Sequence, residues 1–271
     1  MFQINKIMYY LLGFYFFLLG AIFASFFSCL AWRLSREESA WPSSRCDHCQ
    51  RLLKWFENVP VLGYLLLGGR CSSCHQKINW QYFVAEIFGG FLFLLAFILF
   101  FKNSSFFLTD WLLADNLFKF LVQLFTLLIL FFVMIYDGRY YLVSLPMVFS
   151  ASVVLYFINL FFGIQWFVPL IAAIIGGGFF WLQYLLTRGK GIGEGDIYLG
   201  ILFGFIFPNY LNLLTAIIIS YFIGAIVGLT LIVLRKKKLS SALPLGFFLA
   251  LGGMITILFG NQLINWYFGW L

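Results

Sequence analysis

Charge is what this 271-residue chain has least of. Only 10% of its residues are Asp, Glu, Lys or Arg, while 63% are hydrophobic and the mean hydropathy is +0.98. Soluble domains carry about a quarter charged residues, so that class is excluded. The strict apolar–polar alternation of a membrane β-barrel is missing too. The apolar runs are continuous, and backbone that faces lipid must then be helical. No small-x-small cleavage site follows the first run, which is long and weakly cationic at its start, so it is expected to be retained. A glycine fingerprint of the Rossmann type, placed after a strand, is also lacking.

What is present is a series of apolar runs near the 20 or so residues that cross a bilayer. Eight spans are expected, at 9–31, 82–101, 117–136, 146–164, 167–186, 197–208, 210–234 and 244–268. The sixth is short and interrupted by Gly204 and Pro208. The expected fold is an all-α polytopic membrane protein, with a first transmembrane helix in 1–32, a polar insertion in 33–80 and a transmembrane region in 81–271. Placing the insertion in the cytoplasm puts every basic residue there except Lys6, Lys102 and Lys119, as the positive-inside rule favours. The net charge of +7 then follows from topology and contact with anionic membrane lipid, and is no evidence for nucleic acid.

The insertion holds "CDHC" and "CSSC", pairing Cys46 with Cys49 and Cys71 with Cys74. Each C-x-x-C turn presents two sulfurs to one metal, and two turns complete a tetrahedron, the pattern of a structural zinc site. A segment of about fifty residues buries little core, so a metal staple suits it. The alternatives are disulfides or a redox C-x-x-C. The cytoplasmic placement disfavours the first, and the absence of a βαβ pattern disfavours the second. Both histidines, His48 and His75, lie in or beside the knuckles, and either would be able to replace a thiol.

Carboxylates near the membrane are few: Glu86, Asp110, Asp115, Asp137, Glu194 and Asp196. Such groups are costly at membrane depth, which makes each a functional candidate. Asp110 and Asp115 fall in a short outer loop and need only solvation. Asp137 ends a span in "FFVMIYDGRYYLV", and Glu194 and Asp196 open another in "GKGIGEGD". All three sit at the same side of the membrane in this topology. Two carboxylates in a partly dry site cannot both ionise cheaply and share a proton, the arrangement with which aspartic proteases activate water. Gly193 and Gly195 permit tight turns and close approach of an extended peptide. A solvated acidic turn beside Arg188 and Lys190 remains the plainer alternative.

"GEGD", Gly193 to Asp196, resembles the G-x-G-D motif of intramembrane aspartic proteases, with Asp137 resembling their first catalytic aspartate. The wider chain resembles one branch, the type IV prepilin peptidases. "GAIFASFFSCLAWRLSR", "CDHCQRLLKWFENVPVLGYLLLGGRCSSCHQKI", "YFVAEIFGGFLF" and "ALPLGFFLALGG" are each similar to that family's segments. The resemblance implies a bifunctional enzyme of the bacterial inner membrane. It would remove the short basic leader of a prepilin or pseudopilin after glycine, on the cytoplasmic side. It would then methylate the new N-terminal residue with S-adenosyl-L-methionine. It implies Asp137 and Asp196 as the catalytic pair, 81–271 as the peptidase region and 33–80 as the methyltransferase-associated region. Gly193, Gly195, Glu194 and Glu86 become substrate-binding or accessory, and Cys46, Cys49, Cys71 and Cys74 metal ligands. The sequence departs from the family at Tyr198, where lysine is usual, at Ser144 and Leu145, where proline and an acid or amide are usual, and at Ser28, where asparagine is usual. Two rival readings are a transporter with Asp137 and Asp196 as intramembrane ligands, and an inactive scaffold.

Overall fold

A computed structural model describes residues 6–39, 44–103, 114–236 and 243–268. Asp110, Lys237 and Lys238 lie outside the described residues, as does the side chain of Asp115. Among the described residues the chain is helical, and its only strand-like features are two isolated antiparallel bridges in the insertion. It divides into two compact units, Met1–Leu128 and Ile129–Leu271, the boundary falling inside one long helix.

The first unit contains α1 (Lys6–Leu34), a short 3-10 turn (Trp55–Asn58), α2 (Leu62–Leu66), α3 (Trp80–Asn103) and the start of α4 (Ala114–Tyr140). Helices α1 and α3 pack closely because Gly20 and Gly89 face one another. A methyl group on Gly20 would meet the Phe93 side chain at 2.8 Å as well as the facing backbone. Without a hydrophobic force between helices in lipid, close backbone approach over small residues is what holds such pairs together. Phenylalanine fills the remaining space, with Phe16 stacked on Phe97 at 5.1 Å and edge-on to Phe120 at 5.2 Å.

The second unit holds the end of α4, then α5 (Leu145–Phe161), α6 (Phe167–Thr187), α7 (Glu194–Ile206), α8 (Tyr210–Val233) and α9 (Leu245–Phe268). Proline in the first turn starts α5, where its missing N–H costs nothing. Helix α6 ends at Arg188 in the left-handed conformation, followed by Gly189, whose N–H reaches back to Tyr184 O at 3.0 Å. Asn209 caps α8 by accepting from Leu211 N–H at 2.9 Å. Gly176 of α6 meets Gly200 of α7, and Gly204 of α7 lies against the backbone of Ala172 and Ala173. Asn159 of α5 donates to Phe205 O near the end of α7 at 2.9 Å, satisfying a carbonyl the helix itself leaves open.

Six of the eight expected spans appear as helices long and apolar enough to cross a membrane. The other two are shorter. The run at 146–164 forms the 17-residue α5, and that at 197–208 forms the 13-residue α7. The latter is only about 20 Å long at 1.5 Å per residue, because Pro208 ends it where its sequence breaks.

Candidate active site and candidate metal centre

In the second unit, Asp137 stands in the last turn of α4 and Asp196 in the first turn of α7, and both are buried, at 6% and 9% exposed. Each carboxylate is tied to a helix N-terminus. Asp137 Oδ2 accepts from Phe247 N–H at 2.8 Å and the carboxylate is also bonded by Gly246 N–H, so it caps α9 from another helix. Asp196 Oδ2 accepts from Gly193 N–H at 3.0 Å, closing the first turn of its own helix. Helix N-termini carry unpaired N–H groups and a positive dipole end, which suits them to hold carboxylates in place. The charge of Asp137 acts on Asp196, so the two are electrostatic neighbours. The geometry around Gly246 shows how tightly the elements meet. A methyl group there would lie 2.9 Å from Asp137 Oδ2 and 2.8 Å from Leu199 Cδ1, one turn along α7 from Asp196.

The glycines of "GEGD" have different surroundings. Gly195 is packed, since an added Cβ would meet Val143 at 2.7 Å. Gly193 is exposed, and an added Cβ would meet nothing closer than Asp196 Oδ2 at 3.7 Å. Room for an approaching chain is therefore at Gly193, while Gly195 lets the α4–α5 connection close over α7. Glu194 points outward and accepts from Tyr184 Oη at 2.9 Å, a partner not apparent from the neighbouring cations in sequence. Tyr198 is exposed on α7, and Ser144 is the N-cap residue of α5 without a side-chain capping bond.

In the first unit the four cysteines converge. All four Sγ atoms lie within 4.8 Å of one another, with Cys46 to Cys74 at 3.8 Å and Cys49 to Cys71 at 4.0 Å. A tetrahedron with metal–sulfur bonds of 2.3 Å has sulfurs about 3.8 Å apart, whereas a disulfide needs about 2.05 Å. The donor set therefore fits a zinc-class ion. The two knuckles repeat one design. Gln50 N–H and His75 N–H bond to Cys46 O and Cys71 O, and Cys46 N–H and Cys71 N–H bond to Arg51 O and Gln76 O. Gln50 and His75 both adopt positive φ at the turn exit, so His75 occupies a backbone role and stands outside the sulfur cluster. Backbone N–H groups of Cys74 and then Ser73, directed at Cys71, draw its thiol down to about 6, toward the thiolate that binds metal.

Glu57 joins the knuckles. Its carboxylate, 1% exposed, accepts from Ser72 Oγ at 2.5 Å, Arg51 Nη2 at 2.8 Å and Lys54 N–H at 2.7 Å. The Ser72 hydroxyl foremost, with Lys54 N–H and Arg51, outweighs burial and holds the Glu57 carboxyl down to about 2. No motif in the sequence marks Glu57. A lone acid in an aromatic turn, with Arg51 six residues before it, was the available signal. Glu86, six residues into α3, accepts from Val61 N–H at 2.7 Å and is also bonded by Ser25. With Trp32, Arg33, Tyr82 and Phe83 it borders a cavity of about 220 Å³ beside the knuckles.

Residues 18–100 match the family described as Bacterial Peptidase A24 N-terminal domain. The prepilin leader peptidase/N-methyltransferase of Legionella pneumophila is 30% identical over 242 residues, covering 84% of this chain and 76% of that protein. Its namesake in Pseudomonas putida is 29% identical, covering 82% of this chain and 74% of that protein. The Bacillus subtilis (strain 168) protein of the same name is 28% identical over 93% of this chain and 96% of its own length. No solved structure matches the chain. With that identity and coverage, and with helices built to cross a membrane, the chain belongs to the prepilin leader peptidase/N-methyltransferase family of enzymes.

Proposed function

We propose that the chain removes the leader of type IV prepilins or pseudopilins, cutting after glycine on the cytoplasmic side of the inner membrane, with Asp137 and Asp196 as the catalytic pair. The observation that carries this reading is a pair of buried carboxylates that act on one another electrostatically, each fixed to a helix N-terminus, in a chain of this family. Fixed in place and largely withdrawn from water, two such carboxylates share one proton between them. One carboxylate draws a proton from water while the other, protonated, polarises the scissile carbonyl. The proton then passes to the leaving amine, which restores the pair. The exposed face at Gly193 leaves room for the extended segment around the cleaved bond, with Glu194 at the rim attracting the basic leader.

The peptidase work belongs to 81–271 and the methyltransferase work to the 33–80 region with the adjoining helix ends. S-adenosyl-L-methionine supplies the methyl group when bound. The cavity beside the knuckles fits it chemically: Glu86 and the rings of Trp32, Tyr82 and Phe83 suit a cationic, ring-bearing ligand, and Arg33 suits its carboxylate. Cys46 and Cys71 of the knuckles form part of the cavity's wall. The transporter and scaffold readings leave this cavity without a use.

Co-expression with a prepilin, followed by mass analysis of the pilin N-terminus, tests the reading. A product that lacks the leader and gains one methyl group supports both halves. A product without the methyl group confines the activity to cleavage, and an intact leader refutes the proposal.

A further inference from the structure

The insertion is polar in composition, yet one of its faces is apolar and exposed. Leu62, Leu65 and Leu66 of α2 are 54%, 58% and 75% exposed and stand at i, i+3 and i+4, so they share one side of the helical turn. Trp55 of the preceding 3-10 turn is also exposed. A compact soluble module has no reason to present three leucines together.

The position of α2 is fixed by two contacts with α3. Tyr64 stacks on Phe83 at 4.9 Å, and Val61 N–H bonds to the Glu86 carboxylate at 2.7 Å. Phe83 and Glu86 are three and six residues beyond Trp80, the first residue of a candidate membrane span. At 1.5 Å per residue they lie about 4.5 and 9 Å along its axis. The start of α2 is therefore held beside the first two turns of a helix that crosses the bilayer. The backbone at this junction is unusual. Val61 has φ +63° and ψ −54°, and Leu62 N–H bonds to Pro60 O at 2.6 Å, which makes a tight γ-turn centred on a β-branched residue.

We propose that the Leu62–Leu65–Leu66 face of α2 is a membrane-docking surface, which seats the metal-binding insertion on the bilayer that α3 crosses. Interfacial helices bury their apolar face about 5–10 Å into the headgroup–acyl boundary, and α2 is held within about 9 Å of the start of the α3 span. Tryptophan at such boundaries is favoured, and both Trp55 and Trp80 are exposed in this region. The flanking segments present Lys54, Arg70 and Lys77 to the exterior, which suits a surface of anionic lipid. The insertion is in this sense a monotopic element set between two spans, and not a free cytoplasmic domain.

The full-length protein in nanodiscs, with and without phosphatidylglycerol in phosphatidylcholine, tests this. Spin-labelled amino acids, introduced by codon expansion so that the metal-site thiols stay untouched, are placed singly at 62, 66 and 73, the last on an exposed knuckle. Labels at 62 and 66 should show an oxygen-to-nickel-chelate accessibility ratio several-fold above that at 73, with metal content unchanged. The difference should widen with phosphatidylglycerol. Nickel access at 66 equal to that at 73 overturns the proposal. So does exclusion of both reagents at 66, which would mean that a second copy or another protein covers the face. The unsubstituted protein offers a second measurement that no folding defect can confuse. Photoreactive lipid should label the tryptic fragment 55–70, and labelling of α3 without that fragment contradicts the docking.

Discussion

Replacing Gly246 by alanine puts the proposed catalytic geometry under direct stress. The new Cβ would stand 2.9 Å from Asp137 Oδ2, 3.0 Å from its Cγ and 2.8 Å from Leu199 Cδ1. Ordinary contact is about 3.5 Å or more, so something must yield by roughly half an ångström. Asp137 cannot turn aside freely, because the same Oδ2 is held by Phe247 N–H at 2.8 Å. Displacement therefore falls on the carboxylate or on the start of α9, and both change its distance to Asp196. Catalytic groups need placement within about 0.5 Å, and a 1 Å error costs about 100-fold. Cleavage should fall about 10- to 100-fold on that basis. Stability should change by about 0–2 kcal/mol, since alanine gains up to about 1 kcal/mol of helix propensity over glycine against about 1–3 kcal/mol for overpacking. The assay is cleavage of a purified prepilin by the reconstituted enzyme, with a thermal melt of the same sample. Cleavage at the original rate by a folded Gly246→Ala protein would refute the argument that α9 positions Asp137.

Gly204→Ala drives a methyl group into the backbone of Ala172 and Ala173. It should cost about 1–3 kcal/mol and lower the melting temperature of the purified protein. Cys46→Ser with Cys71→Ser leaves one thiol in each knuckle, so stoichiometric zinc should be lost and 44–78 should become open to protease, as read by metal analysis and limited digestion. Glu57 has its carboxyl lowered from the ordinary 4.5 to about 2 in the folded protein. Its ionised form therefore stabilises the module fully above about pH 4.5, and that contribution fades as pH falls toward 2. Amide exchange over 44–78 should show Glu57→Gln weaker than the parent at neutral pH, with the gap narrowing through that window.

The class of fold was legible because hydrophobic runs of span length admit only helices in lipid. The four-thiol cluster was legible because C-x-x-C fixes the local turn, so only the pairing of two turns was left to the fold. Helix ends were harder. Pro208 marked the break after α7, yet the 146–164 run ends at Phe161, since hydrophobicity does not register where a helix turns out of its axis. The support of Asp137 by Gly246 and Phe247 was hidden, because 110 residues separate carboxylate and donor and a backbone N–H has no sequence signature. The same holds for Glu86, whose partner is the N–H of Val61 in a strained turn. Side-chain chemistry can be read along a chain. Side-chain-to-backbone bonds between distant segments cannot.

The most direct test of the account is single-turnover cleavage of a prepilin by Asp137→Asn and Asp196→Asn, each alone, with Glu194→Gln beside them. If the two aspartates share the proton that activates water, each single change should cost about 10²–10⁴-fold or more in rate. Glu194→Gln gives up a contact with Tyr184 and the long-range attraction for the leader but no part in the proton transfer, so with enzyme in saturating excess it should cleave near the original rate. Cleavage at the original rate by either folded aspartate variant would contradict the pair.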